Sequence, residues 1–219
     1  MRRESLFTVC MSAGYDFWLF DLDGTLVDVE PSYVHAVMRA VGDRVGHRLS
    51  DRQAERLWHG IGATPEELLA RWGIDPGAFW TAFHEVEDPI ARAEASYLHP
   101  DAAVVGDLGA PVGIVTHCQD YLTGPVLEAV DVRDWFDAVV CCSEDTGWKP
   151  DPRPVERAIA ELPDAGSSGV LVGDTPTDIG AAWNAGLDAV HVERHGPERR
   201  GCCVRADRRI GALDELLEA

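Results

Sequence analysis

Lysine is almost missing from this 219-residue chain: Lys149 stands alone among nineteen basic residues, and the rest are arginines. Positive charge as a whole is scarce, with 38 acidic residues and a formal net charge of −19. Such a chain repels phosphate backbones and anionic lipid surfaces, which argues against a nucleic-acid or membrane partner. Long apolar runs are also absent, none approaching the roughly 18 residues that a membrane span needs. CxxC spacing is missing too. The six cysteines fall as Cys10, Cys118, the pair Cys141 and Cys142, and the pair Cys202 and Cys203. They read as small apolar residues in a reducing compartment, so a cytoplasmic location is expected. The opening "RRESLFTVCMSAG" has a twin arginine, but its apolar stretch is too short for an export signal and runs straight into a strand. Residues 1–15 are therefore read as an N-terminal extension, with Met11 a candidate true start. Acid excess with almost no lysine resembles the halophilic surfaces of proteins from salt-saturated cytoplasms, where ions screen self-repulsion. An acidic mesophilic protein is the alternative.

What is present is an alternation of strands and helices. "DFWLFDLDGTLVD" begins at Asp16 as an aromatic and aliphatic run that delivers two carboxylates into a turn, the pattern of a buried parallel strand. Similar apolar runs recur at 111–116, 137–143, 169–174 and 188–192. Between them lie helical patterns, "QDYLTGPVLEAV", "DPRPVERAIAEL" and "TDIGAAWNAG", the last stopped by Gly186. This cadence predicts an α/β fold with a Rossmann-like parallel sheet and right-handed crossovers. From 30 to 99 the periodicity is helical throughout, with Ser50 and Thr64 as N-caps. The predicted organisation is a core of residues 16–29 and 100–219, with a helical cap inserted at 30–99.

Chemistry concentrates at the ends of the predicted strands. Asp21 and Asp23 lie in "DLDGT", Thr116 closes the second run, Lys149 lies in "GWKPDP", and Asp174 and Asp178 lie in "GDTPTD". Each has an ordinary reading: Asp-Gly makes turns, Asp caps helices, Thr suits strands and a lone lysine is solvated. Taken together, carboxylates from two strand tips would repel unless a hard cation sits between them. Oxygen-only ligation of that kind suits Mg²⁺.

With these four motifs in order, the sequence resembles the haloacid dehalogenase-like hydrolase superfamily, in its helical-cap, phosphoglycolate-phosphatase-like branch. The resemblance spans residues 16 to about 192. It implies Asp21 as nucleophile and Asp23 as general acid and base. Mg²⁺ would be held by the Asp21 and Asp174 side chains and the Asp23 carbonyl, with Asp178 orienting water on the metal. Thr116, His117 and Lys149 would bind phosphate, Lys149 bridging Asp21 and a phosphate oxygen. The implied substrate is a small phosphorylated metabolite, phosphoglycolate being one family-level candidate, and a homodimer is left open. A sugar-phosphate mutase is the alternative, although the better-known ones carry a cap-hinge histidine about where Tyr33 stands, slightly before His35. A silent binding protein is disfavoured because every catalytic position is filled. In the cap, Arg56, His59 and Arg71 read as surface polar residues, and Trp58, Trp72 and Trp80 as core. The arginine-rich stretch 193–209 reads as a solvated loop, and Lys149, in a proline-bounded loop, is expected to contribute little to folding.

Overall fold

The computed structural model describes residues 14–196, 199 and 203–217. Most of the 1–15 extension, Met11, Cys10, Cys202 and part of the 193–209 stretch lie outside the described residues.

The first strand, β1 (Phe17–Phe20), has all four side chains buried. It is covered on both faces: Trp18 and Phe20 join one apolar cluster, Phe17 and Leu19 another. Burial of such side chains stabilises by about 1.5–3 kcal/mol each. After β1 the chain makes a short strand, β2 (Val27–Val29), and enters five helices, α1 (Pro31–Val45), α2 (Asp51–Trp58), α3 (Pro65–Trp72), α4 (Pro76–Val86) and α5 (Pro89–Ala95). Ser50 and Thr64 cap α2 and α3 with reciprocal side-chain and backbone bonds, as their sequence pattern predicts. These helices enclose their own core, with Phe79, Leu68 and Leu69 fully buried and Trp58, Trp72 and Trp80 packed against it. A third strand, β3 (Ser96–Leu98), falls in the stretch expected to be helical throughout. It pairs antiparallel with β2, so the two connections into and out of the helical unit form one ribbon.

The chain then alternates as expected: β4 (Val112–Thr116), α6 (Asp120–Ala129), β5 (Ala138–Cys141), α7 (Arg153–Glu161), β6 (Gly169–Gly173), α8 (Pro176–Asn184) and β7 (Asp188–Val192). A last strand, β8 (Arg208–Ile210), extends the sheet and had no sequence signal. The sheet order is β5-β4-β1-β6-β7-β8 and every described pairing in it is parallel. The predicted Rossmann-like α/β sheet is thus present. β1 sits centrally, with β4 on one side and β6 on the other. That is where the winding reverses, and the carboxyl ends of strands open there into a crevice. No helix among the described residues is long and apolar enough to cross a membrane.

Candidate active site

The crevice is built by three strand tips and one loop. Asp21 follows β1 directly and is anchored by its backbone N–H, which donates to the Val172 carbonyl of β6 at 2.9 Å. The chain then turns at Leu22 to Val27, held by Gly24 N–H to Val27 O at 2.8 Å and Leu26 N–H to Leu22 O at 2.9 Å. Gly24 has φ +78°, and a Cβ there would stand 3.0 Å from the Asp174 carboxylate. Only glycine meets both demands without strain. Asp174 follows β6, buried at 2 % exposure, and receives the Thr25 hydroxyl at 3.3 Å.

Asp178 lies in the first turn of α8, fully buried. Its Oδ2 accepts from the Thr175 N–H at 2.9 Å and the Thr175 hydroxyl at 2.5 Å, a box that caps the helix. Gly173 makes this approach feasible, because a Cβ there would stand 2.4 Å from the Asp178 Cβ. Carboxylate oxygens of Asp21, Asp174 and Asp178 lie within 4.8 Å of one another.

Lys149, in the loop between β5 and α7, reaches into that cluster. Its ammonium stands 2.7 Å from Asp21 Oδ1, 2.6 Å from Asp178 Oδ1 and 2.8 Å from the Val115 carbonyl. Two hydrogen bonds, to Asp21 and Val115, and one ion pair, with Asp178, converge on the ammonium, which suits a compact tetrahedral head and not a planar guanidinium. The side chain is 1 % exposed. The expectation that this lysine contributes little to folding is therefore revised: it is a buried structural cation as well as a candidate functional one. Burial alone would pull its ammonium down, but the Asp178 and Asp21 carboxylates outweigh burial and hold it above its ordinary value. Burial pushes Asp21 up to about 7, with Lys149 opposing and Asp178 adding to the rise. For Asp178 the Lys149 ammonium and the Thr175 donors win over burial, and its carboxyl is held below the usual range.

The donor chemistry provides the test of a metal. Carboxylate oxygens of three buried aspartates converge beside one ammonium, an oxygen-rich donor set from two strand ends and a helix start. Such an all-oxygen donor set is chemically suited to a hard divalent cation such as Mg²⁺.

Thr116 ends β4 and is 1 % exposed. Its Oγ1 accepts the Cys118 N–H at 3.0 Å. His117 is exposed at the rim, its ring 5.7 Å from that of Trp148.

Asp23 departs from this group. Its side chain turns away from the acidic cluster toward the cap, where it pairs with the Arg92 guanidinium of α5. Arg92 is 2 % exposed, lies 3.9 Å from Glu87 Oε1 and sits 4.8 Å over the Trp58 ring. The Tyr33 hydroxyl donates to Glu87 Oε1 at 3.4 Å, and burial pushes Glu87 up to about 7 against the pull of Arg92. None of these cap residues was a sequence candidate for the site. Arg56 donates instead to the Ile61 carbonyl at 3.2 Å, His59 packs against the His195 ring at 4.6 Å, and Arg71 is exposed. The cap also rests on the core at both rims: Tyr121 donates to the His84 carbonyl at 3.1 Å, and Arg199 pairs with Glu55 at 3.3 Å.

The family described as haloacid dehalogenase-like hydrolase matches residues 18–192. A plasmid-encoded phosphoglycolate phosphatase of Cupriavidus necator is 28 % identical over 208 residues, 90 % of each chain. A phosphoglycolate phosphatase of Nitrosococcus oceani is 26 % identical over 216 residues, covering 91 % of this chain and 92 % of that one. Among solved structures, a haloacid dehalogenase-like family hydrolase from Streptococcus pneumoniae superposes with a TM-score of 0.73 at 18 % identity, covering 93 % of this chain and 97 % of that one.

Proposed function

Because the chain belongs to the haloacid dehalogenase-like hydrolase family, we propose that it is a Mg²⁺-dependent phosphomonoester hydrolase that works through an aspartyl-phosphate intermediate on a small phosphorylated metabolite. One observation carries the proposal: Lys149 is held between Asp21 and Asp178 inside a buried acidic cluster at the switch point of the sheet. Asp21 and Asp174 would hold Mg²⁺ through their side chains and Asp23 through its carbonyl. When bound, the cation masks the negative charge of the phosphoryl oxygens, which would otherwise repel a carboxylate nucleophile.

The chain's own residues do the rest. Lys149 engages Asp21 Oδ1 and so orients the carboxylate for attack on phosphorus. Thr116 donates its O–H to a non-bridging phosphate oxygen, with the backbone at His117 beside it. As the P–O ester bond breaks, Asp23 gives its proton to the leaving oxygen, which departs as the alcohol. Asp23, now a carboxylate, takes a proton from water, whose oxygen attacks the phosphorus of the aspartyl phosphate. Inorganic phosphate leaves and Asp21 is restored. Two displacements replace one difficult step. Asp178, bonded to Lys149 and capped by Thr175, holds the lysine in place.

Mutase chemistry is less well supported. Tyr33 stands where a hinge histidine is expected and its hydroxyl donates to Glu87, while His35 turns to Glu55 at 3.3 Å. The similarity to phosphoglycolate phosphatases makes short phosphorylated carboxylic acids the first substrates to try. The acidic composition and the free thiols at Cys118, Cys141, Cys142 and Cys203 support a reducing, salt-rich cytoplasm as the setting.

The test is a screen of phosphorylated metabolites with Mg²⁺, monitored for phosphate release and, with sugar phosphates, for isomerisation. Asp21→Asn is expected to abolish turnover and phosphoenzyme formation, and Asp23→Asn to leave slow phosphorylation. Robust hydrolysis in excess chelator, or by Asp21→Asn, overturns the mechanism.

A further inference from the structure

Helix α5 is arranged against its own amphipathicity. Ile90 is 68 % exposed, whereas Arg92, two residues on, is 2 % exposed. Burying a guanidinium and leaving an isoleucine in water reverses the ordinary preference, so something beneath the helix must compensate the buried charge. That partner is Asp23, whose Oδ1 accepts from the Arg92 guanidinium.

The surroundings hold Arg92 to this one direction. The Trp58 ring lies under the guanidinium at 4.8 Å and Glu87 flanks it at 3.9 Å, itself held by Tyr33. The covalent setting matters as well. Asp23 lies four residues before β2 and Arg92 four residues before β3, and these two strands pair as the ribbon joining cap to core. The Arg92 carbonyl is tied back by the Ser96 hydroxyl at 2.8 Å, and the Ala95 carbonyl accepts the Glu30 N–H at 2.9 Å. The ion pair thus spans the hinge itself, and cap rotation about the ribbon would part Arg92 from Asp23.

Resting on the reading of Asp23 as the proton-transfer group, we propose that Arg92 is its positioning residue, aiming the Asp23 carboxyl at the leaving-group oxygen only while the cap is seated on the core. Arg92 engages Oδ1, so Oδ2 is the oxygen that gives the proton to the departing ester oxygen and later takes one from water.

The experiment compares kcat/KM for an alkyl phosphate, whose leaving oxygen must be protonated, with that for p-nitrophenyl phosphate, whose phenolate departs without a proton. Because kcat/KM reports only the steps up to the phosphoenzyme, it isolates the first proton transfer. Arg92→Met is expected to lose about 10–100-fold on the alkyl phosphate, the scale that misplacing a catalytic group costs. Its loss on p-nitrophenyl phosphate is expected to be at least severalfold smaller, and Arg92→Lys should recover part of the difference. Combined with Asp23→Asn, the Arg92 substitution should add little further loss. A second readout needs neither metal nor turnover: in chelator, the melting change caused by Arg92→Met should be more favourable by several degrees in the Asp23→Asn background, where the arginine has lost its partner.

Equal losses on both substrates, a change confined to KM, multiplicative losses in the double variant, or the same melting change in both backgrounds each overturn the assignment of Arg92. If Asp23→Asn itself fails to distinguish the two substrates, the reading of Asp23 falls, whatever Arg92 does.

Discussion

Replacing Lys149 by methionine removes the ammonium that pairs with Asp21 and Asp178 in a cluster of three buried carboxylates. Asp21, Asp174 and Asp178 are 6 %, 2 % and 0 % exposed, so water cannot take over from the ammonium. Breaking a buried ion pair from one side costs about 3–5 kcal/mol. For a chain of this length that corresponds to roughly 6–20 °C of melting temperature. Lys149→Arg keeps the charge but places a larger planar head where three acceptors converge within 2.8 Å, and overpacking of that kind costs about 1–3 kcal/mol. The order expected in chelator is therefore wild type, then arginine, then methionine. Excess Mg²⁺ should return part of the methionine variant's loss, because the cation supplies positive charge to the same carboxylates. The deficit also depends on pH. Asp21 is raised from its ordinary 3.8 to about 7 with Lys149 present, and removing the ammonium raises it further. A raised carboxyl favours the folded state below its unfolded value, and that contribution is lost as pH rises through the folded value. The variant should accordingly melt closest to wild type near pH 5 and fall behind toward pH 8. The assay is melting by circular dichroism with and without Mg²⁺ across that range, beside kcat/KM, which should fall at least about 10²-fold in both variants. Melting of Lys149→Met within about 2 °C of wild type at pH 8 in chelator would refute the reasoning.

Mg²⁺ binding should itself depend on pH: Asp21, raised to about 7 by burial, favours the fold below about pH 4 and loses that contribution as pH rises through 7. The melting increment produced by Mg²⁺ should therefore grow from pH 5 to pH 8, since the cation needs deprotonated ligands, and an increment that shrinks with pH would contradict the site. If the net charge of −19 reflects a halophilic surface, melting temperature should climb steeply from low to molar KCl as self-repulsion is screened. Unchanged melting over that range would assign the composition to an ordinary acidic protein.

Much of the core was legible because its signals are local. Each apolar run that ends in a turn reports a buried strand from its own few residues, and the acids and threonine at those run ends fall at strand tips. The three-residue strands β2, β3 and β8 escaped for the converse reason. Three residues carry no period, and their pairing depends on which segment the fold brings alongside. The 1–15 extension lies almost wholly outside the described residues, so its sequence reading stands as an expectation.

By itself the sequence determined the alternation of the longer strands with helices in the core, the helical periodicity of most of the segment after β2, and the identity of Asp21, Asp174, Asp178 and Lys149 as residues worth explaining, since composition, periodicity and turn chemistry are properties of neighbouring residues. Only the tertiary structure decided how deeply Lys149 is buried, and with it that a lysine from a proline-bounded loop is part of the core. It alone decided that Asp23 faces the cap and not the acidic cluster. The reversal in α5, with Ile90 in water and Arg92 beneath, is the clearest case. A helix segment of seven residues carries a weak amphipathic preference, and the pull of one carboxylate 69 residues earlier in the chain outweighs it. A sequence lists both charges but not the distance between them, and electrostatic energy depends on that distance.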